Sequence, residues 1–289
     1  MKKHYWFFWA LLVALSANGA PAAEAGRIQT KKYQTAENIL YYDNGTTALT
    51  EYMRKRCRLD LYYPLKQPGF ATVVWFHGGG LRAGSRYIPE KLKKQKLAVA
   101  AVNYRLFPEV ECPAYIEDAA AAVAWVFKNI SKYGGDPNLI FVSGHSAGGY
   151  LTNMVGLDKH WLAKHDIDAD AIAGLIPVSG HTITHYTVRE ERDIPWEQPL
   201  IDEFAPLYHV RPNAPPVILI TGDRRLELLG RYEENAYFMR MMKVVGHEHV
   251  EIYELRELNH DEMLKPACSL LLRHIKYTIK KYRKKLRKN

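Results

Sequence analysis

The sequence predicts an α/β domain built on a mostly parallel sheet with helices on both faces. Three observations carry that prediction. Strand-like runs alternate with helix-length segments over most of the chain. Several of those runs are apolar throughout, as strands buried on both faces are. Two of them end in glycine-rich turns, His77-Gly78-Gly79-Gly80 and Gly144-His145-Ser146-Ala147-Gly148-Gly149.

Of the 289 residues, 47% are hydrophobic and 12% aromatic, enough for one large core. That composition sets aside disorder, collagen and coiled coil. Residues 1–25 are expected to be a signal peptide. Lys2, Lys3 and His4 form a positive start, Tyr5 to Leu15 is apolar but short for a bilayer span, and Ala20-Pro21-Ala22 and Ala23-Glu24-Ala25 offer cleavage patterns. Export to the periplasm or medium follows; the alternative is an uncleaved N-terminal membrane anchor. The mature part, residues 26–289, reads as one domain.

The formal net charge of +9 is local. Setting aside Lys2, Lys3 and Glu24, and then the eight basic residues between Lys276 and Lys288, leaves 30 basic and 30 acidic residues. The basic character therefore belongs to residues 276–289. Such a tail suits either contact with an anionic surface, such as a membrane or polysaccharide, or the solvated end of a helix. No other basic cluster suggests nucleic acid. Cys57, Cys112 and Cys268 fit no zinc spacing and are too few for a disulfide framework, leaving at most one bridge. No metal or cofactor is expected.

In chain order, Gly26 to Arg56 shows no strong period. Strands are expected at Arg58–Tyr63, Ala71–Phe76, Leu97–Val102, Leu139–Ser143, Ala171–Val178, Pro216–Thr221 and Val250–Leu255. Helices are expected at Glu90–Lys96, Pro113–Lys132, Ala147–Gly156, Arg231–Val245 and Met263–Tyr282, with Gly134-Gly135-Asp136-Pro137 as a breaker. Residues 181–216, rich in Pro, His and aromatics, are expected to form an excursion, either shaping a pocket or packing on the surface.

Gly144-His145-Ser146-Ala147-Gly148 matches G-x-S-x-G between a buried strand and a helix. A nucleophilic Ser needs such a strained turn to project its oxygen, and the flanking glycines remove side chains that would collide with neighbouring chain. The triple glycine after His77 lets backbone N–H groups approach a developing oxyanion. Gly79, Gly80 and Ala147 are the expected donors. The base belongs after the last strand, where His260 stands. His247 and His249 precede that strand and are expected on the surface. His181, His185 and His209 fall in the excursion as possible pocket residues, His145 is expected to pack the elbow, and His77 to hold the glycine loop. The acid belongs after Pro216–Thr221, in Gly222-Asp223-Arg224-Arg225-Leu226-Glu227. Glu227 reaches further and is slightly preferred; Asp223 remains the alternative, with bonding to loop backbone as its other role.

Residues 70–275 resemble the α/β-hydrolase fold esterases of the hormone-sensitive-lipase and feruloyl-esterase-like (BD-FAE-like) group. The resemblance rests on His77-Gly78-Gly79-Gly80, Val102-Asn103-Tyr104-Arg105-Leu106, Pro113 to Asp118, Gly134 to Asn138 and Gly144 to Gly149. It implies hydrolysis of a small-molecule or polysaccharide-linked carboxylic ester without metal or organic cofactor, and a structural role for Asp118 near the elbow. Two departures stand out. Arg225 occupies the usual acid position, and Asp261-Glu262 follow the base where glycine is common. Arylformamidase or peptidase chemistry is the alternative on the same residues. A non-catalytic binding protein of this fold is the alternative of another kind.

Overall fold

An eight-stranded sheet organises the computed structural model, which describes residues 32–42, 49–228 and 230–287. The expected signal peptide lies outside the described residues. In spatial order the strands are β1 (Tyr33–Leu40), β2 (Arg58–Pro64), β4 (Ala98–Val102), β3 (Phe70–Phe76), β5 (Gly135–His145), β6 (Gly174–Val178), β7 (Val217–Gly222) and β8 (Val250–Leu255). β2 runs antiparallel to both β1 and β4; every other pairing is parallel.

Alternation along the strands divides the core in two. Val74 and Phe76 of β3 face one layer, which includes Ala119 and Val123 of α2 (Ala114–Asn129), Tyr150 and Leu151 of α3 (Ala147–Leu157) and Phe238 of α6 (Arg231–Val244). Val73 and Trp75 face the other, filled by Ala267, Cys268, Leu271 and Ile275 of α7 (Leu264–Leu286). Helices thus cover both faces, which is why β3, β4 and β6 are buried along their whole length.

The register aligns the chemistry. Phe76 pairs with Gly144, and His145 with Val178. Gly222 pairs with Leu255. The ends of β3, β5, β6, β7 and β8 therefore open on the same carboxyl edge of the sheet, where ligands of parallel α/β sheets bind.

Several elements differ from the sequence reading. The stretch before Arg58 contains β1 and a short helix α1 (Glu51–Arg56), capped by Thr50, whose hydroxyl accepts from Met53 N. β1 is an edge strand that pairs with β2 alone, so it needs no strong apolar period. Glu90–Lys96 is no helix but a single 3₁₀ turn, Glu90–Leu92; Leu92 is its one buried residue, and Lys94 and Lys96 adopt positive φ. A run with one buried side chain has no apolar stripe to hold it helical. The strand expected from Ala171 starts at Gly174, after a 3₁₀ turn at Ala169–Ala171. Gly135 and Pro137, expected in a breaker, already belong to β5. The excursion holds α5 (Tyr186–Glu190) and a 3₁₀ turn at Pro206–His209, and a short α4 (Lys159–Ala163) follows α3.

Residues 276–286 of the basic segment belong to α7. The helix runs to Leu286, Lys276 bonds Gln95 and Arg283 donates to Gly69 O. All three cysteines are free thiols. Among the described residues no helix is long and apolar enough to cross a membrane, and no group of His, Cys, Asp or Glu could hold a metal.

Candidate active site

Ser146 joins β5 to α3 with φ 56° and ψ −116°, a conformation that costs a non-glycine residue energy and persists only where the surroundings impose it. They do. Ser146 N donates to Val178 O at 2.8 Å, and Ser146 O accepts from Tyr150 N at 3.0 Å, clamping the elbow between β6 and α3. A Cβ on Gly144 would lie 2.6 Å from Phe76 O and from Gly148 backbone, and one on Gly148 would lie 2.2 Å from Phe76 O. Only glycine fits at either flank.

The glycine loop leaves β3 beside this elbow. Gly79 and Gly80 have φ of 106° and 63°. Arg82 N and Ala83 N donate to Gly79 O. His77 braces the loop from below. Arg56 can only donate, so its contact at 3.2 Å makes His77 Nε2 the acceptor, and His77 Nδ1–H donates to Gly78 O at 2.6 Å. Burial pushes the His77 pKa down to about 4, keeping it neutral for that role. Arg56 also donates to Tyr104 O and Gly84 O, and Tyr104 stacks on His77 at 4.4 Å. His77 stands where the sequence predicts it; Arg56 carries no sequence signal beyond its place just before β2.

His260 lies beyond β8, and its Nδ1 is 2.8 Å from Glu227 Oε2. The Glu227 carboxylate is buried. Oε1 accepts from Gly222 N at 3.0 Å and Oε2 from Leu228 N at 3.1 Å. Burial alone would raise its pKa; hydrogen bonds from His260, Ser179 and Gly222 outweigh it and hold the carboxyl ionised, at about 2. With Nδ1–H committed to Glu227, His260 Nε2 is the nitrogen left to accept a proton. His145, next to Ser146, packs at 4.6 Å ring to ring on His260 and donates Nε2–H to His260 O at 2.9 Å. Burial, then the neighbouring His260, lowers its pKa to about 4, so it stays neutral. This contact ties the elbow to the His260 loop. Ser146 Oγ and His260 themselves form no direct hydrogen bond among the described contacts; such bonds often tighten only with substrate.

Asp223, the alternative acid, does not reach His260. It accepts from Arg225 N and the Arg225 guanidinium and from Glu257 N. Arg225, then these backbone donors, hold its carboxyl well below the usual range. It pins the acid loop, while Glu227, one turn later, faces the histidine. Asp118 bonds Arg105 through both carboxylate oxygens and takes the Tyr42 hydroxyl at 2.7 Å, fixing the segment after β4.

Ser179, at the end of β6, went unnoticed in the sequence. Its Oγ lies 2.9 Å from His260 Nδ1 and its φ is 48°. Arg231 holds it by donating to its carbonyl, and Arg231 is itself paired with Glu234 at 2.8 Å and with His181 Nε2 at 2.8 Å. His181 Nδ1 sits 2.8 Å from Glu234, whose other oxygen accepts from Thr182 N and Ile183 N. The Arg231/Glu234 spacing of three residues at a helix start was the available clue. His185 accepts from Thr187 N, and His209 bonds Glu203 O away from the cleft. His247, expected on the surface, is buried and bonds Pro212 O, because the turn before β8 folds onto the chain leading to β7; His249 is exposed.

A cleft of about 770 Å³ borders the site, within the size range of small-molecule pockets. The excursion supplies one wall through His181, Tyr186, Arg189 and Trp196; Leu228 and Arg231 supply the other. It adjoins the glycine loop through Tyr186 and the acid loop through Leu228, which follows Glu227.

Known proteins agree with this architecture. The BD-FAE family model matches residues 59–174, the segment carrying the glycine loop and elbow. Esterase LipC of Mycobacterium tuberculosis is 27% identical over 258 residues, covering 81% of this chain and 62% of LipC. The isoprenylcysteine alpha-carbonyl methylesterase ICME of Arabidopsis thaliana is 37% identical over 109 residues, 36% of this chain and 26% of ICME. The chain thus spans about three fifths of LipC and a quarter of ICME. A solved truncated form of a carbohydrate esterase from gut microbiota superposes with a TM-score of 0.69 at 18% identity, covering 86% of this chain and 97% of that one. With its sheet order, its elbow and this structural likeness, the chain has the α/β-hydrolase fold, and over residues 59–174 it is similar to the BD-FAE family.

Proposed function

We propose that this protein hydrolyses carboxylic esters with Ser146 as nucleophile, His260 as base and Glu227 as the acid. The observation that carries the reading is the pair of buried Glu227 and half-buried His260 beside the strained Ser146 elbow and the Gly79–Gly80 loop. Ser146 Oγ attacks the ester carbonyl and gives its proton to His260 Nε2. The negative oxygen that forms meets the N–H groups of Gly79, Gly80 and Ala147. Collapse expels the alcohol, which takes the proton from His260. Water, deprotonated by His260, then releases the acid from Ser146. Glu227 keeps the imidazole in the productive tautomer and compensates its charge while it holds the proton.

The substrate is an ester of a small acyl group on a small-molecule or polysaccharide-linked alcohol. Export, through cleavage after residue 25, puts the enzyme where such polymers are met. The test is labelling by a fluorophosphonate probe together with turnover of an acyl-length series of aryl esters. Labelling of the wild type and not of Ser146→Ala, with the highest kcat/KM on short acyl chains, is the expected result; an unlabelled, inactive wild type overturns it.

A further inference from the structure

Gly80 is glycine because another side chain occupies the position of its Cβ. The hydroxyl oxygen of Tyr186 lies 1.9 Å from where that Cβ would be, which puts it within about 3.4 Å of Gly80 Cα for a bond of about 1.5 Å. Neighbouring hydroxyls are each spent on a carbonyl: Tyr104 on His77 O, Tyr150 on Phe204 O, Thr187 on Gly80 O. The Tyr186 hydroxyl has no such acceptor among the described residues, and Tyr186 lines the cleft that adjoins the glycine and acid loops. An O–H donor without a partner therefore stands against Gly80, whose N–H is one of the oxyanion donors proposed above.

Its position is not incidental. α5 docks on the glycine loop at three successive points. Tyr186 covers Gly80 Cα, Thr187 Oγ1 donates to Gly80 O at 2.5 Å, and Glu190 forms an ion pair with Arg82. His185, fully buried, packs its ring 4.4 Å from that of Tyr186 and fixes the phenol from behind. A donor held this firmly needs no reorganisation when charge develops.

We propose that Tyr186 is a catalytic residue of the ester hydrolysis inferred above: its hydroxyl donates a fourth hydrogen bond to the tetrahedral oxyanion, an O–H beside the Gly79, Gly80 and Ala147 N–H groups. No proton is transferred; the phenol stays protonated throughout. This assigns the excursion between β6 and β7 a part in the chemistry as well as in shaping the cleft.

Tyr186→Phe removes one oxygen and keeps the ring that packs on His185, so the melting temperature is expected to match the wild type. Loss of one oxyanion donor costs on the order of 100-fold in kcat at full strength, so a fall of about 10- to 100-fold is expected, with KM changed less than about threefold. Affinity for a trifluoromethyl ketone, whose adduct with Ser146 carries the oxyanion, should fall by a similar factor. The loss should be uniform across aryl esters of graded leaving-group pKa, because the oxyanion is common to all. An unchanged kcat overturns the assignment. So does a loss confined to poor leaving groups, which would place the hydroxyl on the departing alcohol. A wild type that neither hydrolyses esters nor takes a fluorophosphonate brings down the functional reading as well; an active, labelled wild type equalled by Tyr186→Phe brings down this assignment alone.

Discussion

Glu227 Oε2 lies 2.8 Å from His260 Nδ1, while Asp223, four residues earlier on the same loop, is turned onto Arg225 and Glu257. The two carboxylates should therefore fail differently. Glu227→Gln keeps the shape but can bond His260 in the wrong tautomer, and kcat is expected to fall by about 10³- to 10⁴-fold. Asp223→Asn should keep kcat within about threefold and lower the melting temperature by weakening the loop clamp. Ester kinetics and melting curves on both variants check this. Comparable kcat losses in the two would refute the assignment of Glu227.

In the mechanism proposed above, Arg56 is a positioning residue for the glycine loop, reached through His77. Lysine has a single ammonium and cannot reproduce its contacts to Tyr104 O, Gly84 O and His77 at once. Arg56→Lys should lower kcat about tenfold with little change in KM, since the loop meets charge that exists only in the transition state. A KM effect without a kcat effect would place Arg56 in substrate binding instead.

The elbow glycines tolerate no methyl. Gly144→Ala would set a Cβ 2.6 Å from three backbone atoms, none of which can swing aside as a side chain could. Overpacking of this kind costs about 1–3 kcal/mol or more, and here it also displaces Ser146. Loss of probe labelling together with a lower denaturant midpoint is the expected result; a labelled, fully stable variant would contradict the packing.

Acid should weaken the fold through its buried neutral histidines, His77 and His145 among them. His77 and His145 both titrate near 4 in the folded chain, held down first by burial, against an ordinary value of 6.5. Between those values the unfolded chain binds protons that the folded chain does not. Stability is therefore full above pH 6.5 and is lost as pH falls towards 4. Glu227 adds a second loss, from about 4.5 down through 2, because its carboxyl is held ionised in the fold. Denaturant midpoints measured from pH 8 to pH 4 should decline mostly below 6.5, and His145→Asn should decline less steeply than the wild type.

Local pattern was enough for most of the framework. Continuous apolar runs gave β3, β4, β5 and β7 away, because strands buried on both faces are filled mostly by apolar side chains. It failed for β1, whose period is weak because it is an edge strand, and for Glu90–Lys96, where composition favoured a helix but one buried leucine could not sustain it.

The site divides along the same line. Ser146, its flanking glycines and the Gly79–Gly80 loop could be read from sequence because the constraint acts within a few residues: a strained turn and a close backbone approach admit only those residue types. His260 was readable from order alone, as the histidine after the last strand. What only the tertiary structure decided is everything that depends on direction across the sheet edge. Asp223 and Glu227 are both carboxylates on one loop, and the Arg225 and Glu257 contacts of the first leave the second to His260. Ser179, Arg231 and Tyr186 come from three other segments. They meet the site because the parallel register brings the ends of β3, β5, β6, β7 and β8 to one edge, a distance relation that no local pattern of residues records.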